Sequence, residues 1–176
     1  MEQAQFRKDG FEALLKRLDT LCNNVLEWGF FEESVYPAEH INSAAAGKPV
    51  AQIAEWNEYG NGLAPSRPFF SNSISRCFPR EMGIGAQATP KVQRELVKAL
   101  QGAIQGQDSS AALRGLGTVL ATDVKDKIAN YGIEGDPRPH NSDRWIAVKG
   151  EDRPLHQTGI MEDSVDYKVV KRRVDS

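Results

Sequence analysis

Two amphipathic stretches separated by five residues constrain the fold of this chain most. After Pro90, the residues Val92, Leu96, Ala99, Leu100, Ala103 and Ile104 recur at helical spacing. After "GQDSS" the pattern resumes with Leu113, Leu116, Leu120, Val124, Ile128 and Tyr131. Apolar residues three and four apart share one face of a helix. Thr89 is placed to cap the first helix. Pro90 suits its first turn, where a missing N–H costs nothing, and Gly132 closes the second. Helices joined by so short a link run back along each other, so the spacing predicts an antiparallel helical hairpin.

A further stripe runs over residues 5–27, where Phe11, Leu14, Leu15, Leu18, Leu21, Cys22, Val25 and Leu26 face one way and Lys8, Glu12, Lys16, Arg17 and Asp19 the other. Such a helix lays its apolar face on a core or on a neighbouring subunit. "LEWGFFEESVYP" is predicted as a strand ending at Pro37, and "VDYKVV" as a second strand in the same sheet. Residues 38–49 are predicted as a loop. Residues 49–60 form a short helix with Pro49 in its first turn, Val50, Ile53 and Ala54 on one face, and Gly60 as a left-handed terminator. Residues 69–78 form another, with Phe70, Ile74 and Cys77 or Phe78 inward. The Pro/Gly-rich stretch 133–155 is too long for an ordinary connector. The expected architecture is one α+β domain over residues 1–176. A long N-terminal helix and the helical hairpin pack on a small, mostly antiparallel sheet, with extended loops at 38–49 and 133–155 that project as assembly arms.

With 176 residues, 40% apolar and 26% charged, the chain has the balance of a globular protein. A net charge of −2 argues against tight DNA binding, and basic residues cluster only at Lys168, Lys171, Arg172 and Arg173. The polar start "MEQAQFRKDG" predicts no secretory signal, and no apolar run is long enough to span a membrane. Cys22 and Cys77 are expected as two buried thiols. His40, His140 and His156 lack metal-ligand spacing, and "GKP" lacks the glycine spacing of a phosphate loop. No nucleophile elbow is present. Glu55 and Glu58, three apart on a helix, are the pair open to acid–base or Mg²⁺ chemistry, although charged pairs on helices are more commonly solvated. Trp56 is expected as a half-buried packing residue, with stacking on a ligand as the alternative. No catalytic residue, metal or cofactor is assigned. The rival readings are a small hydrolase or nuclease built on the acidic pairs, and a monomeric binding module.

"EWNEYGNGLAPSRPFF" remains to be explained. Pro65 and Pro68 hold an extended segment and lower the entropy lost on ordering it. Arg67 between them is a preorganised fork for a carboxylate or for carbonyls, with Glu58 a nearby partner. Phe69 and Phe70 add large apolar area. Such a corner has the makings of an interface hot spot, or it pins the loop to its own helix. Downstream, Thr158 is a candidate cap for a short helix through Ile160 and Met161, and Gly159 permits a tight bend.

These two blocks carry a resemblance. Asn57, Glu58, Tyr59, Gly60, Pro65, Arg67, Pro68, Phe69 and Phe70, followed by Lys149, Gly150, Pro154, Leu155, Thr158, Gly159, Ser164, Tyr167 and Val169, resemble in order and separation the virion-morphogenesis (neck, tail-completion or minor tail) proteins of tailed bacteriophages. The resemblance implies a structural virion protein, assembled in the host cytoplasm. It implies a six- or twelve-fold homo-oligomeric ring that joins the head connector or stopper to the tail terminator or tube, with DNA passing through its lumen. Asn57, Glu58, Tyr59, Pro65, Arg67, Pro68, Phe69, Phe70, Thr158, Gly159 and Tyr167 would then be interface residues.

Overall fold

A computed structural model describes residues 2–39, 44–62, 64–78, 89–131, 140–156 and 158–172, with side chains from Gly10 onward. In chain order the elements are α1 (Glu2–Cys22), β1 (Asn24–Phe30), α2 (Val50–Tyr59), α3 (Phe69–Cys77), α4 (Pro90–Ile104), α5 (Ser109–Ala129), α6 (Asp143–Lys149), α7 (Ile160–Asp163) and β2 (Val165–Lys171). The fold is α+β, with β1 and β2 as an antiparallel two-stranded sheet.

Helix α5 is the hub and packs against α3, α4, α7 and both strands. The hairpin runs antiparallel as expected. Val92 at the start of α4 clusters with Leu120, Glu95 lies against Gly115, and Gly102 lies against Gln107 beyond the turn. Asp108 caps α5 by accepting from the Ser110 amide at 3.0 Å. Thr89 precedes Pro90 as foreseen, yet its side chain makes no capping bond. Leu116, Leu120, Val124, Ile128 and Tyr131 are all buried, as their spacing requires. The upper part of this row joins Cys77 and Val92. The lower part joins Val50, Ala54, Phe69, Leu155, Met161 and Val165 in the larger core.

The inner face of the sheet is set by alternation. Leu26, Trp28 and Phe30 sit opposite Val169, Tyr167 and Val165. Helix α5 crosses this face so closely that a Cβ on Gly117 would overlap the Tyr167 ring, at 2.6 Å from its Cγ, and lie 2.9 Å from Leu26 Cδ1. Outside, Lys168 bonds Glu33 at 2.7 Å and sits 4.0 Å from the centre of the Phe31 ring. That lysine is therefore engaged by its own chain.

Several expectations are corrected. Helix α1 stops at Cys22, and Val25 and Leu26 belong to the strand. The Asn24 side chain donates to Thr20 O at 2.8 Å and to Ser109 Oγ at 2.7 Å, which diverts the backbone from the helix. The strand consequently ends at Phe30 rather than Pro37. In α3 the inward residues are Phe69, Ser73 and Cys77, while Phe70 and Ile74 are half-buried. Ser73 decides this phase, because its hydroxyl donates to Asp123 on α5 at 2.7 Å. Loop 38–49 does not simply project. Residues 40–43 lie outside the described residues, but Val35 bridges Pro49, Tyr36 N donates to Lys48 O at 2.9 Å, and Ala45 is buried. Residues 133–139 lie outside the description as well, and the rest of the 133–155 stretch holds helix α6 and buries Leu155.

Cys22 is exposed, against expectation, and Cys77 is buried. Burial pushes the Cys77 thiol up to about 11. A thiol reagent at pH 8 should therefore modify one cysteine per isolated chain rapidly and the other only in denaturant. Substituting Cys22→Ser should remove the fast phase alone. Survival of that phase in the variant would contradict the burial of Cys77.

Candidate functional site

The corner between α2 and α3 is organised by backbone bonds. Gly60 follows α2 with φ 79° and ψ 164°. This is not the left-handed helical turn expected. It is an extended conformation of opposite hand that only glycine adopts readily. A Cβ there would sit 3.1 Å from both Ala64 O and Ser66 N, so the returning chain also demands glycine. Arg67 N then donates to Asn57 O at 2.6 Å, and Ser66 Oγ to Glu58 O at 2.6 Å.

Glu58 is buried and does not pair with Arg67. Its carboxylate accepts from Phe70 N at 2.9 Å, from Ser71 N at 3.0 Å and from the Ser71 hydroxyl. Pro68 offers no side-chain cap to α3. Glu58 supplies that cap from another helix and places negative charge at the positive end of α3. Glu55 remains exposed on α2, so the two acids do not converge on a shared site. Among the described residues, no three histidine, cysteine or acidic side chains are placed to hold a metal ion.

Arg67 is only 7% exposed. Its Nη2 donates to His140 O at 3.4 Å, and its Nε has no hydrogen-bond partner. No carboxylate among the described residues lies within ion-pair distance of it. Burial lowers its pKa, with Tyr131 and Asp152 acting the other way. Lys149, held by the carbonyl of Arg153, is lowered by burial too, and Arg67 adds to that effect.

Arg67 borders a cavity of about 530 Å³. The first wall comes from α2 and the corner: Ile53, Trp56, Asn57, Pro65 and Arg67. The second is His140, Asn141, Ser142 and Trp145. The third is Pro154, Leu155, Thr158, Gly159, Ile160 and Met161, and Tyr36, Ala44 and Ala45 supply a fourth. The second wall is built locally. Ser142 caps α6 by accepting from Trp145 N at 3.4 Å, and Gly150 ends it in the left-handed region. Asp152 then ties the segment together, accepting from Asn141 N at 3.0 Å and contacting His140 Nδ1 at 2.7 Å. The third wall turns at Gly159, which occupies the cap position of α7. Thr158 lies one residue before it and so does not cap the helix as foreseen.

The two sequence blocks thus meet in space. Asn57, Pro65, Arg67, Thr158 and Gly159 border one cavity. Phe69 is buried in the core, with the Phe70 ring edge-on to it at 6.5 Å. Pro68 is half-buried, and Tyr167 packs between the sheet and α5, where Thr118 Oγ1 donates to its hydroxyl at 3.3 Å. Of the two readings of the corner, pinning of the loop within the chain describes the side chains of Glu58, Arg67 and Phe69, which are buried, although Glu58 bonds to the start of α3 and not to Arg67. Tyr59, 74% exposed, is the large side chain of the corner that points to solvent. Asn141 and the helix that carries Trp145 and Lys149 are not signalled when 133–155 is read as a loop. "SDRWIAVKG", with a capping serine, an acid in the first turn, a lysine in the last and a glycine after it, was the available signal. His156 also gains an acidic neighbour, Glu162 at 3.3 Å, whereas Ser164 Oγ donates to Ile160 O.

The Asn141 amide, aided by His140, holds the Asp152 carboxyl below the usual range. The contribution of a depressed acid is present above its unfolded value, near 3.8, and is lost as pH falls through the lower folded value. Asp152→Asn should therefore flatten the acid limb of stability below that pH and leave the slope at neutral pH unchanged. Urea midpoints measured across the range would show it.

Comparison with protein-family models, with curated proteins and with solved structures finds no match. No helix among the described residues is long and apolar enough to cross a membrane.

Proposed function

We propose that this chain is a structural virion protein that forms a ring in the neck or at the top of the tail of a bacteriophage, joining head connector to tail around the DNA channel. The virion assignment rests on the two blocks of resemblance, from Asn57 to Phe70 and from Lys149 to Val169. The observation that carries self-assembly is an apolar surface on two helices in contact. Phe11 on α1 is 59% exposed and Leu100 on α4 is 49% exposed, with Leu15, Val97 and Ile104 similarly open. Rows of exposed apolar residues on adjoining helices are the usual mark of a surface covered by another chain. The near-neutral net charge of −2 suits a lumen that must let DNA slide, since a strongly basic one would retain it.

Light scattering after size exclusion should give a mass above that of one chain for the wild type. Leu100→Glu should give a monomer with unchanged circular dichroism. Particles assembled without the protein should accumulate as filled tailless heads beside free tails. Normal infectious virions in its absence would end the proposal.

A further inference from the structure

The cavity presents a physical imbalance. A guanidinium removed from water needs a counter-charge or a full set of acceptors, because an unpaired buried cation costs several kcal/mol. Arg67 has one long bond to a carbonyl and an orphaned Nε. Asn141 also lines the cavity, and its buried Nδ2 makes no full hydrogen bond, although it helps to stabilise the Asp152 carboxylate. Both missing partners are acceptors. Lys149 adds positive charge nearby, and Lys48 stands 5.4 Å from the ring centre of Trp56, another lining residue. Among the described residues the acids close by are Glu151, which acts on Lys149 and pairs with Arg153 at 3.9 Å, and Asp152, whose oxygens are already committed to Asn141 N and His140.

We propose that this cavity is a binding site for a carboxylate carried by a peptide segment of a partner chain, with Arg67 as its counter-ion. An arginine fork matches a carboxylate in geometry as well as charge. Trp56 and Trp145 on facing walls give apolar surface for the residue beside the acid. The volume of about 530 Å³ falls within the range of ordinary ligand pockets. The site goes beyond the neck reading and does not depend on it. A chain that acts in some other assembly would still hold an unbalanced arginine.

The test follows the Arg67 Nε–H resonance of the full-length ¹⁵N-labelled chain. The probes are the capped peptide acetyl-Gly-Phe-Glu-Gly-amide, its Gln counterpart, and sodium acetate. The Glu peptide should shift the Arg67 signal and those of the Trp56 and Trp145 indoles at millimolar concentration. The Gln peptide should not, and acetate should act only at much higher concentration. Arg67→Lys should bind the Glu peptide at least roughly tenfold more weakly. If that variant does not fold, Asn141→Ala should weaken binding in the same direction. Acetate acting as well as the Glu peptide would overturn the assignment to a peptide. Equal shifts with Glu and Gln peptides, or none with either, would overturn the carboxylate site itself. Neither result would touch the joining role, which particle imaging decides.

Discussion

Glu58→Ala should lower the stability of the chain by about 3 kcal/mol, through the loss of a cap that α3 cannot replace. The substitution strands the amides of Phe70 and Ser71, both bonded to this carboxylate at 2.9 and 3.0 Å. Each buried donor left without an acceptor costs about 1–3 kcal/mol. The damage spreads because Phe69, one residue earlier, is core. Glu58→Gln keeps an acceptor oxygen of similar reach but loses the charge at the helix start, so its cost should be about 1 kcal/mol. Urea titrations of both variants with an unchanged m-value would measure this. A loss below about 1 kcal/mol for the alanine variant would show that water reaches these amides, and the capping account would then fail.

At Gly117 the expected penalty comes from crowding. Alanine normally favours a helix over glycine by about 1 kcal/mol. Here its methyl would meet the Tyr167 ring, at 2.6 Å from Cγ, and Leu26 at 2.9 Å. Because Cγ sits at the root of the side chain, rotation of the ring brings little relief, and the helix must lift off the sheet. Overpacking of this kind costs about 1–3 kcal/mol. Gly117→Val should cost more, since its branch adds volume and stiffness. The cause can be isolated with Tyr167→Ala. In that background Gly117→Ala should turn neutral or stabilising, so the two substitutions should couple strongly in a double-mutant cycle. Additive effects would place the strain elsewhere.

The hairpin was legible because its signal is local. Five of the six row positions, Leu116 to Tyr131, are buried, and Leu113 at the start is half-buried. The pairing of the two strands was legible from the alternation in Val165 to Val170. The end of α1 was not, since Val25 and Leu26 extend the helical spacing by coincidence and the break is made by the amide of Asn24, whose partners include a residue on α5. Helix α6 was overlooked although Ser142 and Gly150 bracket it. Glu58 was noticed as a partner for Arg67, but its true partners are backbone amides of the next helix. The cavity could not be foreseen from spacing, for its four walls come from segments that meet only after folding. What the two blocks did supply is seven of its lining residues: Asn57, Pro65, Arg67, Pro154, Leu155, Thr158 and Gly159.

The sheet has a consequence for how the chain is made. Asn24 pairs with Lys171 and Phe30 with Val165, so β1 must wait through synthesis of every intervening described element before it finds its mate. Until β2 emerges, the hydrogen-bonding edge of β1 and the groove of α5 that holds Tyr167 stay uncovered. Contacts so distant in sequence form slowly. A nascent chain is thus open to chaperones for longest on the very surface that the finished molecule hides, and a block late in translation would leave α1 attached to an unmatched ribbon.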